Sequence, residues 1–361
     1  VFRQTSLGWK FFSFFQFSTL NIQSYNKMKS LYFIVALVFF AACNRIRTEK
    51  CLLSDCPIEH CKVQKHLIDT VLVYPQAINV FKDKLLVFEP RNGNAVLSVF
   101  SCKDFEYLFS GIGKGHAKSE VVYMYDNYYA CTDTSFFILD MNVEKEYLLK
   151  NNKVVYVGST PLIIPDALNQ LIRVDDVTYI TAGFTNGKGG EHLLYHDGEY
   201  TDFGEYPDLS LKNEERAIYN GSISAGMVGK QKFWDFYTYQ DLIRSYDLQG
   251  NLLLEIVLDD DEKNVTMQNV DDRNLNYYKA KWNSKYIAVL YNAFFSADEF
   301  YKLSKDERKR ELQLWTWDGE LKRRIYFDVP YDIYALSEDN IFYAMNMDKP
   351  DVIYTYDLNE K

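Results

Sequence analysis

Positive charge is what this chain has too little of. Its 361 residues carry 40 Lys and Arg against 50 Asp and Glu, a net charge of −10. The first 42 residues hold four basic residues and no acidic one, so residues 43–361 carry −14. A nucleic-acid binder needs a basic footprint to displace counterions, and that class is excluded. Long apolar runs are missing too, since the run at 31–40 is about half the length a membrane-spanning helix needs. The motifs of several chemistries are incomplete. Gly111, Gly113 and Gly115 are spaced glycines, but no Gly-Lys-Ser/Thr step or βαβ unit follows, and Val121-Val122-Tyr123-Met124-Tyr125 reads as a strand. A nucleophile elbow needs Gly two residues to either side of its Ser. In Gly221-Ser222-Ile223-Ser224-Ala225-Gly226, Ser222 takes one of those places. Asp259-Asp260-Asp261-Glu262 and Asp271-Asp272 are consecutive acids without the alternation and Gly of a calcium loop, and read as solvated. Cys51, Cys56 and Cys61 stand near His60 and His66, with four residues between successive cysteines. Zinc pairs usually sit closer, so a disulfide or free thiol is expected, with metal as the lesser alternative. No cofactor is called for.

What is present is strand. Tyr (29) and Phe (25) are abundant, which suits β-structure. The clearest unit is Leu312-Gln313-Leu314-Trp315-Thr316-Trp317-Asp318-Gly319-Glu320-Leu321-Lys322-Arg323-Arg324-Ile325-Tyr326-Phe327, two strands about an Asp-Gly turn. Weaker copies centre on Tyr356-Asp357, Tyr246-Asp247, His196-Asp197-Gly198, Leu139-Asp140 and the stretch Phe100 to Asp104. Six copies spaced roughly 40 to 70 residues apart predict an all-β, six-bladed β-propeller with about four antiparallel strands per blade. A β-sandwich with accidental turn similarity is the alternative.

The N-terminus reads as an export signal. Residues 1–27 look like an over-long gene start upstream of Met28. Lys29 supplies a positive flank, 31–40 an apolar core and Phe40-Ala41-Ala42-Cys43 a small-residue cleavage site. This ending resembles the lipobox of bacterial lipoproteins, which implies a lipid on Cys43, membrane attachment and an outer-membrane address. An ordinary cleaved signal is the alternative. Residues 44–65 show no strand or helix period and read as a tether, leaving 66–361 as the propeller.

The stretch Gly111-Ile112-Gly113-Lys114-Gly115-His116-Ala117-Lys118-Ser119-Glu120 adds a further likeness. With the signal and the six hairpins, it resembles the connection between the first two blades of TolB-like six-bladed propeller lipoproteins of Bacteroides-type bacteria. Gly113, Gly115 and Glu120 match that pattern, while Ala117-Lys118 stands where Gly-Pro is usual. The resemblance covers 66–361 and implies fold and cellular address rather than chemistry.

The second blade is expected from Glu120 to about Val155, the third from Asn169 to Glu205, and the fourth from near Arg216. Ser296-Ala297-Asp298-Glu299 reads as a capping box opening a short helix that ends near Lys309-Arg310. The last copy, 351–357, is half a hairpin, so residues 68–73 are predicted to pair beside it and close the ring. Loops early in each blade converge on the central channel, which makes Arg91, His116, Glu120, Arg216 and Trp282 the candidate ligand contacts. The expected function is a non-enzymatic binding or interaction module for a glycan, peptide or envelope protein. A propeller enzyme of the lactonase or lyase type, with its active site in the channel, is the alternative.

Overall fold

The structure, a computed structural model, describes residues 47–70, 72–90, 95–162, 170–182, 189–209, 211–259, 274–292, 296–304 and 310–359. Cys43, Arg91 and most of the acidic stretch (260–262 and 271–272) lie outside these residues.

Six antiparallel sheets form the six blades of a β-propeller, spanning 77–113, 130–161, 171–203, 222–259, 277–327 and 333–357. The second and third strands of a blade have neighbours on both faces, which is why they read as continuous apolar runs rather than alternating ones. Lys84–Phe88, Tyr286–Tyr291 and Glu311–Thr316 are examples, with Leu85, Leu86, Val87, Ile287, Val289, Leu312 and Leu314 fully buried. Many of the abundant tyrosines sit between strands with their hydroxyls satisfied. Tyr277 donates to Gln313 Oε1 (2.9 Å) and Tyr334 to the Ala288 carbonyl (2.9 Å).

Four of the six turn copies fall where a blade turns from third to fourth strand; Tyr356-Asp357 ends the third strand of the last blade, whose fourth strand comes from the N-terminus, and Asp140 is the other exception. Asp140 ends the second strand of its blade, whose third-to-fourth turn is Asn151-Asn152. Both of these asparagines have positive φ (53° and 55°), as a two-residue turn of the I′ type requires. Gly319 has two reasons to be glycine. Its φ is +89°, and an added Cβ would lie 2.7 Å from the Trp234 ring of the neighbouring blade. Gly198 shares the φ of +89° but has open space around it.

The residues read as a tether are built into the ring. Strand β1 (Arg47–Leu52) lies beside Leu252–Asp259 as a fifth strand of the fourth blade. After a 3-10 turn over Leu53–Asp55, β2 (Ile58–Cys61) pairs in parallel with 324–327 on the fifth blade. Then β3 (Gln64–Leu67) pairs antiparallel with 352–355 and completes the sixth. Closure by an N-terminal strand holds, but the strand lies a few residues earlier than 68–73. Ile68 still donates its N–H to the Asp351 carbonyl (3.0 Å) and is buried with Leu72 under the first and last blades. The next residues, Val73 and Tyr74, are exposed and give their N–H groups to the buried Glu89 Oε1.

Two further details differ from the sequence reading. The fourth blade opens at Ser222, because Asn213–Tyr219 is a helix. The Ser296–Glu299 capping box is formed in both directions, and its helix, Ala297–Lys302, is shorter than expected.

Candidate functional site: the central channel

The innermost strands are Ala77–Phe81, Ala130–Cys131, Leu171–Arg173, Ser222–Gly226, Tyr277–Trp282 and Ile333–Leu336. Two cavities lie along them. Where these strands begin, a cavity of about 410 Å³ is lined by residues including Lys114, Tyr123, Asp126, Lys279 and Asp332. Where they end, a cavity of about 760 Å³ draws residues from all six blades, among them Asn79, Tyr129, Arg173, Val228, Lys281, Trp282 and Glu338.

Lys279 and Lys281 join the two spaces. Side chains two apart on a strand leave the same face, so both amines of Tyr277–Trp282 turn to the axis, one lining each cavity. The Lys281 ammonium donates to Asn79 Oδ1 (2.9 Å), and that of Lys279 reaches the Asp332 carbonyl (3.3 Å). Burial, reinforced by the Lys279 charge, lowers the Lys281 ammonium to about 7, with Asp126 opposing. Burial also lowers Lys279. There Asp126 and Asp332 oppose the shift and Arg310 adds to it.

Other charges at the channel wall are committed elsewhere. Arg173 pairs with Glu144 and with Asp176 (2.9 Å), and its guanidinium lies 3.9 Å from the centre of the Phe137 ring. Glu144 also accepts from the hydroxyls of Tyr128 and Tyr179. Arg310 pairs with Asp332 (3.2 Å).

The sequence candidates are dispersed. Trp282 lines the larger cavity. His116 is exposed on the loop between the first two blades. Glu120 is consumed by that loop. Its carboxylate accepts the Ala117 N–H (3.0 Å) and fills the space a Cβ on Gly115 would need (2.2 Å), which explains the glycine spacing without any ligand. Arg216 sits on the 213–219 helix and donates to the carbonyls of Leu209 and Leu211. Sequence reasoning missed both channel lysines, although Lys-Ala-Lys inside an otherwise aromatic strand was the available signal.

Ser224, Asp235 and His192 lie together, sealed between the third and fourth blades. The order is wrong for nucleophile activation: Asp235 takes the Ser224 hydroxyl (2.6 Å) on one oxygen and lies 2.9 Å from His192 Nε2 on the other. Among the described residues no group of three or more His, Cys, Asp or Glu is placed to hold a metal ion. All five described cysteines are free thiols, and Cys61 donates to the Tyr356 hydroxyl (3.2 Å).

No family model and no curated protein sequence matches the chain. Solved structures do. One, from Bacteroides fragilis NCTC 9343 and described as exported, is 10% identical. It covers 83% of this chain and 88% of its own, with a TM-score of 0.50. Another is a member of the DUF4221 family from Bacteroides vulgatus, 8% identical, covering 83% of this chain and 96% of its own at a TM-score of 0.51. Identity this low speaks for the fold alone.

Proposed function

We propose that this chain is a cell-envelope propeller that binds a ligand in the larger channel cavity and releases it unchanged. The observation that carries this is the convergence of all six blades on one cavity of about 760 Å³, with polar groups facing in beside Trp282. The arrangement of Ser224, Asp235 and His192 supports binding over hydrolysis, since the serine faces the carboxylate and is sealed from solvent. Glycan and peptide arrays probed with the described domain test it. Val228→Trp, which places a large ring at the cavity wall, should weaken any array binding at least tenfold. Binding untouched by Val228→Trp, or turnover of a bound lactone, ester or glycan, would overturn the reading.

The envelope address rests on Ala41-Ala42-Cys43 after the apolar run, with the exported Bacteroides neighbour in support. Two acyl chains on Cys43 would give stable membrane residence. Cys43→Ser should therefore shift the protein from the membrane to the soluble fraction of cells. A variant that still sediments with membranes would remove the anchor from the proposal.

A further inference from the structure

Among the described residues, the two amines at the waist of the channel have no carboxylate as a hydrogen-bond partner. Lys279 and Lys281 are bonded to a carbonyl and an amide oxygen, neither of which carries charge. Asp332 is occupied by Arg310 (3.2 Å) and by the Met347 N–H (2.9 Å). Glu144 and Asp176 are occupied by Arg173. Asp126 remains as the carboxylate whose field reaches both lysines. One carboxylate faces two lysine amines at the waist of the channel, and because burial and the Lys279 charge hold Lys281 down to about 7, an anion there would be met by a proton drawn onto that amine. Desolvating an amine beside a second amine is unfavourable unless something compensates it.

We infer that Lys279 and Lys281 form a binding site for a small oxyanion, a carboxylate or phosphate group carried into the channel by the ligand. This rests on the channel being the ligand site. An oxyanion between the amines would take charge-assisted hydrogen bonds from both. The rim of the larger cavity selects for low charge, because Asp133, Glu338 and Asp339 are exposed there. These acids repel an extended polyanion more strongly than a ligand that carries a single acid group. Trp282 on the same wall offers a face to the apolar remainder of such a ligand.

The test uses the propeller as it stands, with succinate and inorganic phosphate as probes, each compared with sodium chloride at equal ionic strength. Ligand that binds only the folded state raises the melting temperature. Wild type should melt several degrees higher in at least one probe, and which one responds separates carboxylate from phosphate recognition. Lys279→Met with Lys281→Met should lose the response and melt higher than wild type in chloride, because two buried amines are gone. Lys281→Gln alone should weaken the response at least tenfold in titration calorimetry, which keeps the test decisive if the double variant folds poorly. A wild type indifferent to both probes, or a double variant that responds as wild type does, would overturn the site. Array binding that is lost in Val228→Trp without any anion response would sink the oxyanion while leaving the channel reading intact. An anion response lost with the lysine changes, alongside array binding untouched by Val228→Trp, would keep the anion site and overturn the channel reading.

Discussion

A chain that begins at Ile68 should melt roughly 10 °C or more below one that begins at Arg47, if it folds at all. Three strands would be lost together, and each does a different job. Without β3, the sixth blade ends at 357 with an open edge and the ring is closed by packing alone. That removes the ladder to 352–355, the His66–Thr355 contact (2.9 Å) and the stacking of His66 on Phe105. Without β2, Arg323 loses a bidentate partner in Glu59, and Tyr356 loses the Cys61 thiol. The turn between β1 and β2 fills a deeper gap. Leu53 is buried against the core of the fourth and fifth blades, and its carbonyl accepts from Arg324 Nη1 (2.8 Å). Arg324 is held on its other side by Glu311 through two bonds of 2.7 and 2.9 Å. Removing the strap would leave this buried guanidinium short of acceptors. A buried leucine contributes about 1.5–3 kcal/mol and each lost hydrogen bond about 0.5–1.5 kcal/mol, so the total is on the order of 5 kcal/mol or more. At a few degrees per kcal/mol for a domain of this size, the melting shift follows. A chain beginning at Gln64 separates the parts, since it keeps the closing strand and loses β1 and β2. It should melt between the other two in a calorimetric scan. If it melts with the longer chain, the outer-edge strands contribute nothing and only ring closure matters.

The blades were legible because burial on both faces of a strand leaves a sequence trace that survives repeat decay. Lys84–Phe88 and Tyr286–Tyr291 announce themselves as apolar runs between turns, and Asp318-Gly319 fixes a hairpin by backbone geometry. The strap was illegible for the converse reason. Arg47–Leu52, Ile58–Cys61 and Gln64–Leu67 lie on outer edges with much of their surface in water, so they carry Lys, Glu and His without a period. Their pairing partners are up to about 290 residues away, and nothing local encodes that. The candidate site was legible only in part. Trp282, expected in or near a loop, lies at the end of an inner strand, directly after Lys281. Glu120 and its glycines formed a recognisable motif whose cause is internal packing. An unpaired charge can be seen only once the neighbours are known, which is why Lys279 and Lys281 waited for the structure.

A second large effect is expected where the third and fourth blades meet. Asp235 is fully buried, accepts the Ser224 hydroxyl at 2.6 Å and lies 2.9 Å from the buried His192. Asp235→Ala should cost about 3–5 kcal/mol, the usual price of leaving one half of a buried ion pair alone. Asp235→Asn keeps the shape and should cost less. Beside this pair, Glu191 accepts from the hydroxyls of Tyr237 (2.6 Å) and Tyr246 (3.0 Å). Burial raises the Glu191 carboxyl to about 7, with His192 opposing and Asp235 adding to the rise. Burial alone would lower the His192 imidazolium, but Asp235 and Glu191 more than reverse this and its value is raised. Between 4.5 and about 7 the folded protein keeps a proton on Glu191 that the unfolded chain has released. Stability therefore falls as pH rises through that window. The His192 contribution has the same sign: it is whole below the imidazole's ordinary 6.5 and is lost as pH climbs through the raised folded value. Glu191→Gln cannot release its proton, so its melting temperature relative to wild type should climb steadily from about pH 5 to about pH 8. The gain is on the order of a few kcal/mol across that window. Taking the difference between variant and wild type at each pH cancels the titration of the other carboxylates. A difference that stays flat would mean Glu191 is ionised throughout, held so by His192 and Arg244, and the blade interface would then be an ionic cluster rather than a proton-holding one.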